Sequence, residues 1–233
     1  MRVFRGRAAS ISADRDVSRQ LLSVAADGEP AVRVWVPHQQ VAFGRRDARR
    51  EGYERARAAA SERGFPPIER DVVGRAVAYD GATTLAFTRA EPVIDGRTGT
   101  TNRYERATAA LERALRTLDL EPSHGEPDDS FCPGTHSLSL GSARANGRRR
   151  KVVGIAQRVR SDAALVAGIV LVADRRGLTA VLEDVYDALD VALEPASVGT
   201  IAAAGGPSDP EPVRAAIEDA LVGDATINSI ESV

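Results

Sequence analysis

The stretch KVVGIAQRVRSDAALVAGIVLV, residues 151–172, constrains the fold more than any other segment. Two apolar, β-branched runs flank Ser161-Asp162, and that arrangement predicts a long β-hairpin. The run AALVAGIVLVA at 163–173 is about half as long as a membrane-spanning helix requires, so a strand is the reading that remains.

The flanking segments say what sheet is built around the hairpin. Residues 2–11 alternate weakly and predict a first strand, and ADRDVSRQLLSVAADG predicts a helix with Asp14 as its cap and Gly28 past its end. AVRVWV at 31–36 alternates with period two, and QVAFG at 40–44 follows it after a turn near Pro37. Asp47 is placed to cap a long helix through ARREGYERARAAASER, which Gly64 ends and Pro66-Pro67 keep from resuming. IERDVVGRAVAYDGATTLAFTRA reads as strand, loop, strand, a tight turn at Asp80-Gly81, and strand. Over 101–119 a helix aligns Tyr104, Ala107, Ala110, Leu111, Ala114, Leu115 and Leu118 on one face. Two more helices are expected over 178–192 and 210–222, with GTIAAAGGPSDP as a loop between them. Internal repeats and a domain-sized linker are not visible in the sequence. An α/β (α+β) fold follows, a mixed β-sheet flanked by helices.

The 233 residues carry a net charge of −2, which gives no overall pull toward nucleic acid or anionic membrane. The amino-terminal stretch MRVFRGRAASIS lacks an apolar core, so a signal peptide is not expected and a cytoplasmic location is. A single cysteine excludes an internal disulfide and a multi-cysteine metal site.

Thirty of the 31 basic residues are arginine, and Lys151 is the one lysine. Lysine is a compact point charge on a flexible stem, suited to reaching one oxygen in a narrow pocket where an arginine fork does not fit. The alternative is one more cation in the solvated turn RRRK. Cys132 lies in DDSFCPGTHSLSLG, where Pro133-Gly134 turn the chain. It reads either as a small, partly buried turn residue or as a thiolate nucleophile that needs a neighbouring cation or oriented N–H groups. His136 stands four residues beyond it, whereas His38 and His124 fall in turns elsewhere.

Three segments, RDVVGRAV at 70–77, SFCPGTHSLSLG at 130–141 and KVVGIAQRVRSDAALVAGIVLV at 151–172, together resemble the catalytic domain shared by biotin and lipoate protein ligases and octanoyl transferases. SFCPG ahead of an aliphatic strand and the lysine motif is most similar to the cysteine-dependent amidotransferase branch. The resemblance covers about residues 1–190 and implies a catalytic domain there, with 191–233 as a helical extension packed on the same domain. It implies transfer of an octanoyl or lipoyl group from a carrier protein to a lysine of a lipoyl domain, through a Cys132 thioester. Lys151 would then polarise the acyl carbonyl. Arg70, Gly74, Arg75, Ala76, Val77 and Gly154 would line the acyl slot, Gln157 and Arg158 would order the site, and Asp129 and His136 are candidate modulators of the thiol. Lipoyl-domain or glycine-cleavage carrier proteins are the implied partners, the protein acting as a monomer without nucleic acid, membrane or metal.

The transferase reading needs no cofactor. The alternative is an ATP-dependent lipoate–protein ligase, which would need ATP and Mg and leave Cys132 incidental. A third reading is a binder without activity. Its support is Val72-Val73, which stand where the family has small or polar residues; a further departure is Tyr79, near where ligases often carry a histidine. Arg144 and Arg148 to Arg150 form either a docking patch for an acidic partner or a solvated turn.

Overall fold

A computed structural model describes residues 1–70, 74–93, 99–141 and 147–233. The strands are β1 (Arg2–Arg5), β2 (Ala31–Trp35), β3 (Gln40–Phe43), β4 (Pro67–Glu69), β5 (Val77–Tyr79), β6 (Thr84–Pro92), β7 (Pro122–His124), β8 (Leu138–Gly141), β9 (Arg149–Val159), β10 (Ala163–Leu171) and β11 (Ser229–Ser232). The helices are α1 (Ile11–Ala26), α2 (Tyr53–Glu62), α3 (Thr100–Arg116), α4 (Arg175–Ala188) and α5 (Pro210–Val222). An eight-stranded sheet runs β11-β1-β2-β6-β10-β9-β8-β7, and a three-stranded sheet runs β4-β3-β5.

The expected mixed sheet is present, and the expected hairpin is its centre. β9 and β10 pair antiparallel from Ala164↔Val159 to Val170↔Val153, and β10 pairs β6 over its whole length. On one face Leu111, Leu115, Ile217 and Leu221 of α3 and α5 meet Val32, Val34, Leu85 and Phe87. On the other face α1 packs through Leu21 and Leu22, while α2, α4 and the small sheet enclose a separate core around Phe43, Leu178 and Tyr186. This second face holds the site. Among the described residues no helix is long and apolar enough to cross a membrane.

Several local expectations are corrected. The first strand stops at Arg5, and Ser10 rather than Asp14 caps α1, its hydroxyl accepting the Ala13 N–H at 3.2 Å. Asp14 lies one turn in, buried, and binds the guanidinium of Arg33 at 2.6 Å. Asp47 does not cap a long helix, because its carboxylate turns back to accept the Gly44 N–H at 3.0 Å. Residues 45–52 are turns, and Gly52, which weakens a helix, sits so close to the Ala188 carbonyl that a Cβ would fall at 1.8 Å. Helix α2 therefore starts only at Tyr53. Residues 191–233 supply more than helix. β11 adds to the sheet edge beside β1, in parallel pairs from Arg2↔Ser229 to Arg5↔Ser232.

The Arg33 side chain is 0% exposed and its main ionic partner is Asp14. Replacing Asp14 with alanine leaves an uncompensated buried charge and should cost about 3–5 kcal/mol, measured as a shift in urea unfolding. An unchanged midpoint would show that Arg33 finds other partners.

Candidate active site

Cys132 occupies the bend between β7 and β8, with its backbone in the left-handed region at φ +42°. A residue with a Cβ resists that conformation, so neighbouring bonds must hold it there. Four groups do so. The Cys132 N–H donates to the Tyr186 hydroxyl at 2.6 Å, and that hydroxyl donates to the Ala76 carbonyl at 3.0 Å. The Cys132 carbonyl accepts from Lys151 Nζ at 2.8 Å. The sulfur accepts from Arg70 Nη2 at 3.0 Å and from the Arg75 N–H at 3.3 Å. Two donors on the sulfur stabilise negative charge there, whether it attacks or departs.

Lys151 is fully buried at the start of β9. Besides Cys132 O, its ammonium donates to Phe131 O at 2.9 Å and to the Glu126 carboxylate. It also lies 4.9 Å from the centroid of the Phe131 ring. Burial pulls its pKa below the usual lysine value, opposed by the charges of Cys132 and Glu126. Glu126 in turn accepts from the Gly134 N–H and the Ser137 hydroxyl, each at 2.7 Å, so one carboxylate ties both ends of the cysteine loop to the lysine.

A cavity of about 460 Å³ opens beside the sulfur, within the range of small-molecule sites. Its lining includes Cys132, Arg70, Gly74, Val77, Gly154, Arg158 and His136 from the residues expected in the sequence. Five arginines (Arg15, Arg19, Arg46, Arg70, Arg158) face it and no carboxylate does, among the described residues. Gly74 has φ +138°, and a Cβ there would fall 2.8 Å from the Cys132 sulfur, so only glycine lets the loop approach the thiol.

The remaining expected residues take other positions. Arg75 contributes its backbone N–H to the thiol and turns its guanidinium toward buried Asp47 at 3.5 Å. Gln157 accepts from Arg103 at 2.6 Å and joins β9 to α3, away from the sulfur. Asp129 is exposed at φ +51°, and its carbonyl receives the Glu194 N–H, so it touches the loop's support rather than the thiol. His136 stacks on Tyr104 with ring centroids 4.2 Å apart, on the cavity wall. Arg148 and Arg149 are exposed, whereas Val72-Val73 and Arg144 lie outside the described residues. Sequence reading missed Glu126, Tyr186, Asp47 and Tyr104, which come from four separate segments with no local motif. An acidic residue within six positions of the one cysteine was the only hint of Glu126.

Tyr186 makes the simplest test of this construction. Burial raises its pKa well above the usual phenol value, with the Cys132 charge adding to the effect, so the hydroxyl keeps its proton and bridges two loops. Tyr186→Phe leaves the Cys132 N–H and Ala76 carbonyl without partners, and should lower stability by about 1–3 kcal/mol. It should also change the rate of Cys132 alkylation by iodoacetamide at constant pH. An unaltered alkylation rate would remove Tyr186 from the positioning of the thiol.

The lipoyl protein ligase A/B catalytic domain, as a family, matches residues 14–222 of this chain. An octanoyl-[GcvH]:protein N-octanoyltransferase of Bacillus velezensis is 32% identical over 159 residues, which cover 66% of this chain and 51% of that protein. One of the same name from Anoxybacillus flavithermus is 32% identical over 133 residues, covering 56% of this chain and 44% of its own. The chain thus spans about half the length of the curated relatives it matches. A crystal structure of lipoate-protein ligase A bound with ATP superposes on all of this chain and 88% of its own, with TM-score 0.71 and 19% identity. A bi-partite lipoate protein ligase from Thermoplasma acidophilum superposes on all of this chain and 86% of its own, with TM-score 0.69 and 17% identity. These structural likenesses are of fold.

Proposed function

Because the chain belongs to the lipoyl protein ligase A/B catalytic-domain family, we propose that it transfers an octanoyl or lipoyl group between carrier proteins by way of a thioester on Cys132. The observation that carries this is the sulfur itself, at the wall of the cavity, with Arg70 and the Arg75 N–H both donating to it. A cysteine kept for packing has no use for two donors on its sulfur or for a left-handed backbone.

The acyl chain lies in the cavity and presents its carbonyl carbon to the sulfur. The thiolate attacks, the bond between acyl carbon and donor carrier breaks, and the leaving group departs with a proton. A neutral lysine amine of the acceptor domain then attacks the thioester. The C–S bond breaks, the amine gives up a proton, and the thiolate returns between Arg70 and Arg75. The product amide is more stable than the thioester, so this second step runs downhill without ATP. Lys151, now donating to Cys132 O and Phe131 O, is placed to redirect one N–H to the acyl oxygen as charge develops. The names of the relatives make a glycine-cleavage H protein the first donor to try and a lipoyl domain the acceptor.

Incubating the protein with octanoyl-loaded glycine-cleavage H protein, without ATP, should give a hydroxylamine-sensitive octanoyl adduct by intact mass. Cys132→Ala should lack the adduct and lose transfer by about three orders of magnitude or more. Modification of the acceptor by free lipoate and ATP, unaffected by Cys132→Ala, would make the protein a ligase instead.

A further inference from the structure

In the thiolate form proposed for Cys132, two cations and two anions meet at the candidate site. Arg70 and Lys151 bring the positive charge, Glu126 and the sulfur the negative. Burial draws the lysine below its usual value. The Cys132 charge opposes this most and the Glu126 charge next, while Arg70 acts the other way. The other titratable groups around the sulfur are Tyr79 of β5 and Tyr186 of α4, whose phenols burial raises, Asp47, turned to Arg75, and Tyr104 of α3 stacked on His136. None of them bonds to Lys151.

Acylation changes this balance. A thioester sulfur is neutral, so forming the acyl-enzyme removes one of the two anions. Lys151 is then left with one charged acceptor, because its other two are the carbonyls of Phe131 and Cys132. The remaining carboxylate is held in place. One oxygen of Glu126 accepts the Gly134 N–H at 2.7 Å, and the other accepts the Ser137 hydroxyl at 2.7 Å and meets Lys151. Its side chain is only 16% exposed, so little water competes for the ammonium. An ammonium that swings one N–H from a carbonyl to an acyl oxygen needs a fixed partner of this kind.

Resting on the proposed thioester chemistry, we infer that Glu126 is a positioning residue for the second half of the transfer. It keeps Lys151 charged and aimed once Cys132 carries the acyl group, a task the thiolate shares in the first half. Without Glu126 the acyl-enzyme's lysine loses its proton at lower pH, and a neutral amine is the weaker donor.

The test is Glu126→Gln, mixed with octanoyl-loaded glycine-cleavage H protein and then with an acceptor lipoyl domain, each step timed by intact mass. Acylation should stay within about threefold of wild type, and transfer from Cys132 to the acceptor should slow about tenfold or more. That deficit should widen as the pH rises toward the ordinary lysine value. Transfer impaired no more than acylation, or impaired equally at every pH, in a variant shown folded by circular dichroism, would overturn the proposal. A second readout needs no acyl group. Lys151 is the one lysine, so an isotope label on the lysine ε carbon gives a single side-chain resonance to titrate by NMR. In Cys132→Ala, which like the acyl-enzyme has no anionic sulfur, adding Glu126→Gln should lower the pH at which that resonance titrates. An unchanged titration would also overturn the proposal. If the wild-type protein gains no octanoyl adduct, the transferase reading fails, and the titration still decides whether Glu126 keeps Lys151 charged.

Discussion

One buried ammonium organises this site. Lys151 is 0% exposed, and a cation without water must find replacement acceptors within its own chain. It finds the carboxylate of Glu126 and the carbonyls of Phe131 and Cys132. Those acceptors belong to the loop that carries Cys132, so satisfying the charge also fixes the loop. Three acceptors converging from one side suit the three donors of an ammonium. An arginine would bring five donors in a rigid plane, beside a wall where Gly154 already lies close to the lysine stem. The single lysine in a chain of arginines thus has a geometric reason.

The loop is then held from its other side by a different part of the chain. Tyr186 on α4 accepts the Cys132 N–H and donates to Ala76, so the helix bolts the cysteine loop to the segment from Gly74 to Val77. Arg70 and the Arg75 N–H of that segment both donate to the sulfur. Gly74 makes the approach possible, and so does Gly44, where a Cβ would fall 1.8 Å from the Gly74 carbonyl. Strand β9 supplies the lysine, helix α4 the tyrosine, and the glycine segment the donors. None of these elements forms the site without the packing of the small sheet against the large one.

The sequence displayed the scaffold where a periodic signal spoke for itself. The hairpin around Ser161-Asp162, helix α3 with its leucine and alanine stripe, and the turn at Asp80-Gly81 all stand where the pattern put them. It misled where one polar residue had two plausible partners. Asp14 and Asp47 look like helix caps, yet one neutralises buried Arg33, 19 residues on, and the other turns back 3 residues to fasten the Gly44 turn. Strand β11 was illegible because its register comes from β1, more than two hundred residues earlier. In the candidate site, Cys132 and Lys151 stood out by rarity, and Gly74 by its place in a motif. Glu126 and Tyr186 did not stand out, since their roles exist only once β7, β9 and α4 converge. His136, close to the cysteine in sequence, stacks on Tyr104 on the wall of the same cavity, a contact the sequence did not signal.

The same fold superposes on a lipoate-protein ligase, and it is the proposed thioester on Cys132 that would set a transferase chemistry apart. An activated acyl group held without a covalent bond must be retained by contacts along its whole length, including those to the activating group. A thioester needs no such retention, because the bond itself keeps the acyl carbon at the site while the donor leaves and the acceptor arrives. Under the proposed transfer, the protein has to supply only a slot for the tail, donors for the charge on sulfur, and a loop rigid enough to keep the two aligned. The apolar floor of β9 and β10, the pair Arg70 and Arg75 N–H, and the clamp of Lys151, Glu126 and Tyr186 correspond to those three needs. Backbone strain at Cys132 fits the same logic, because the left-handed turn is what aims the sulfur between its donors and into the cavity.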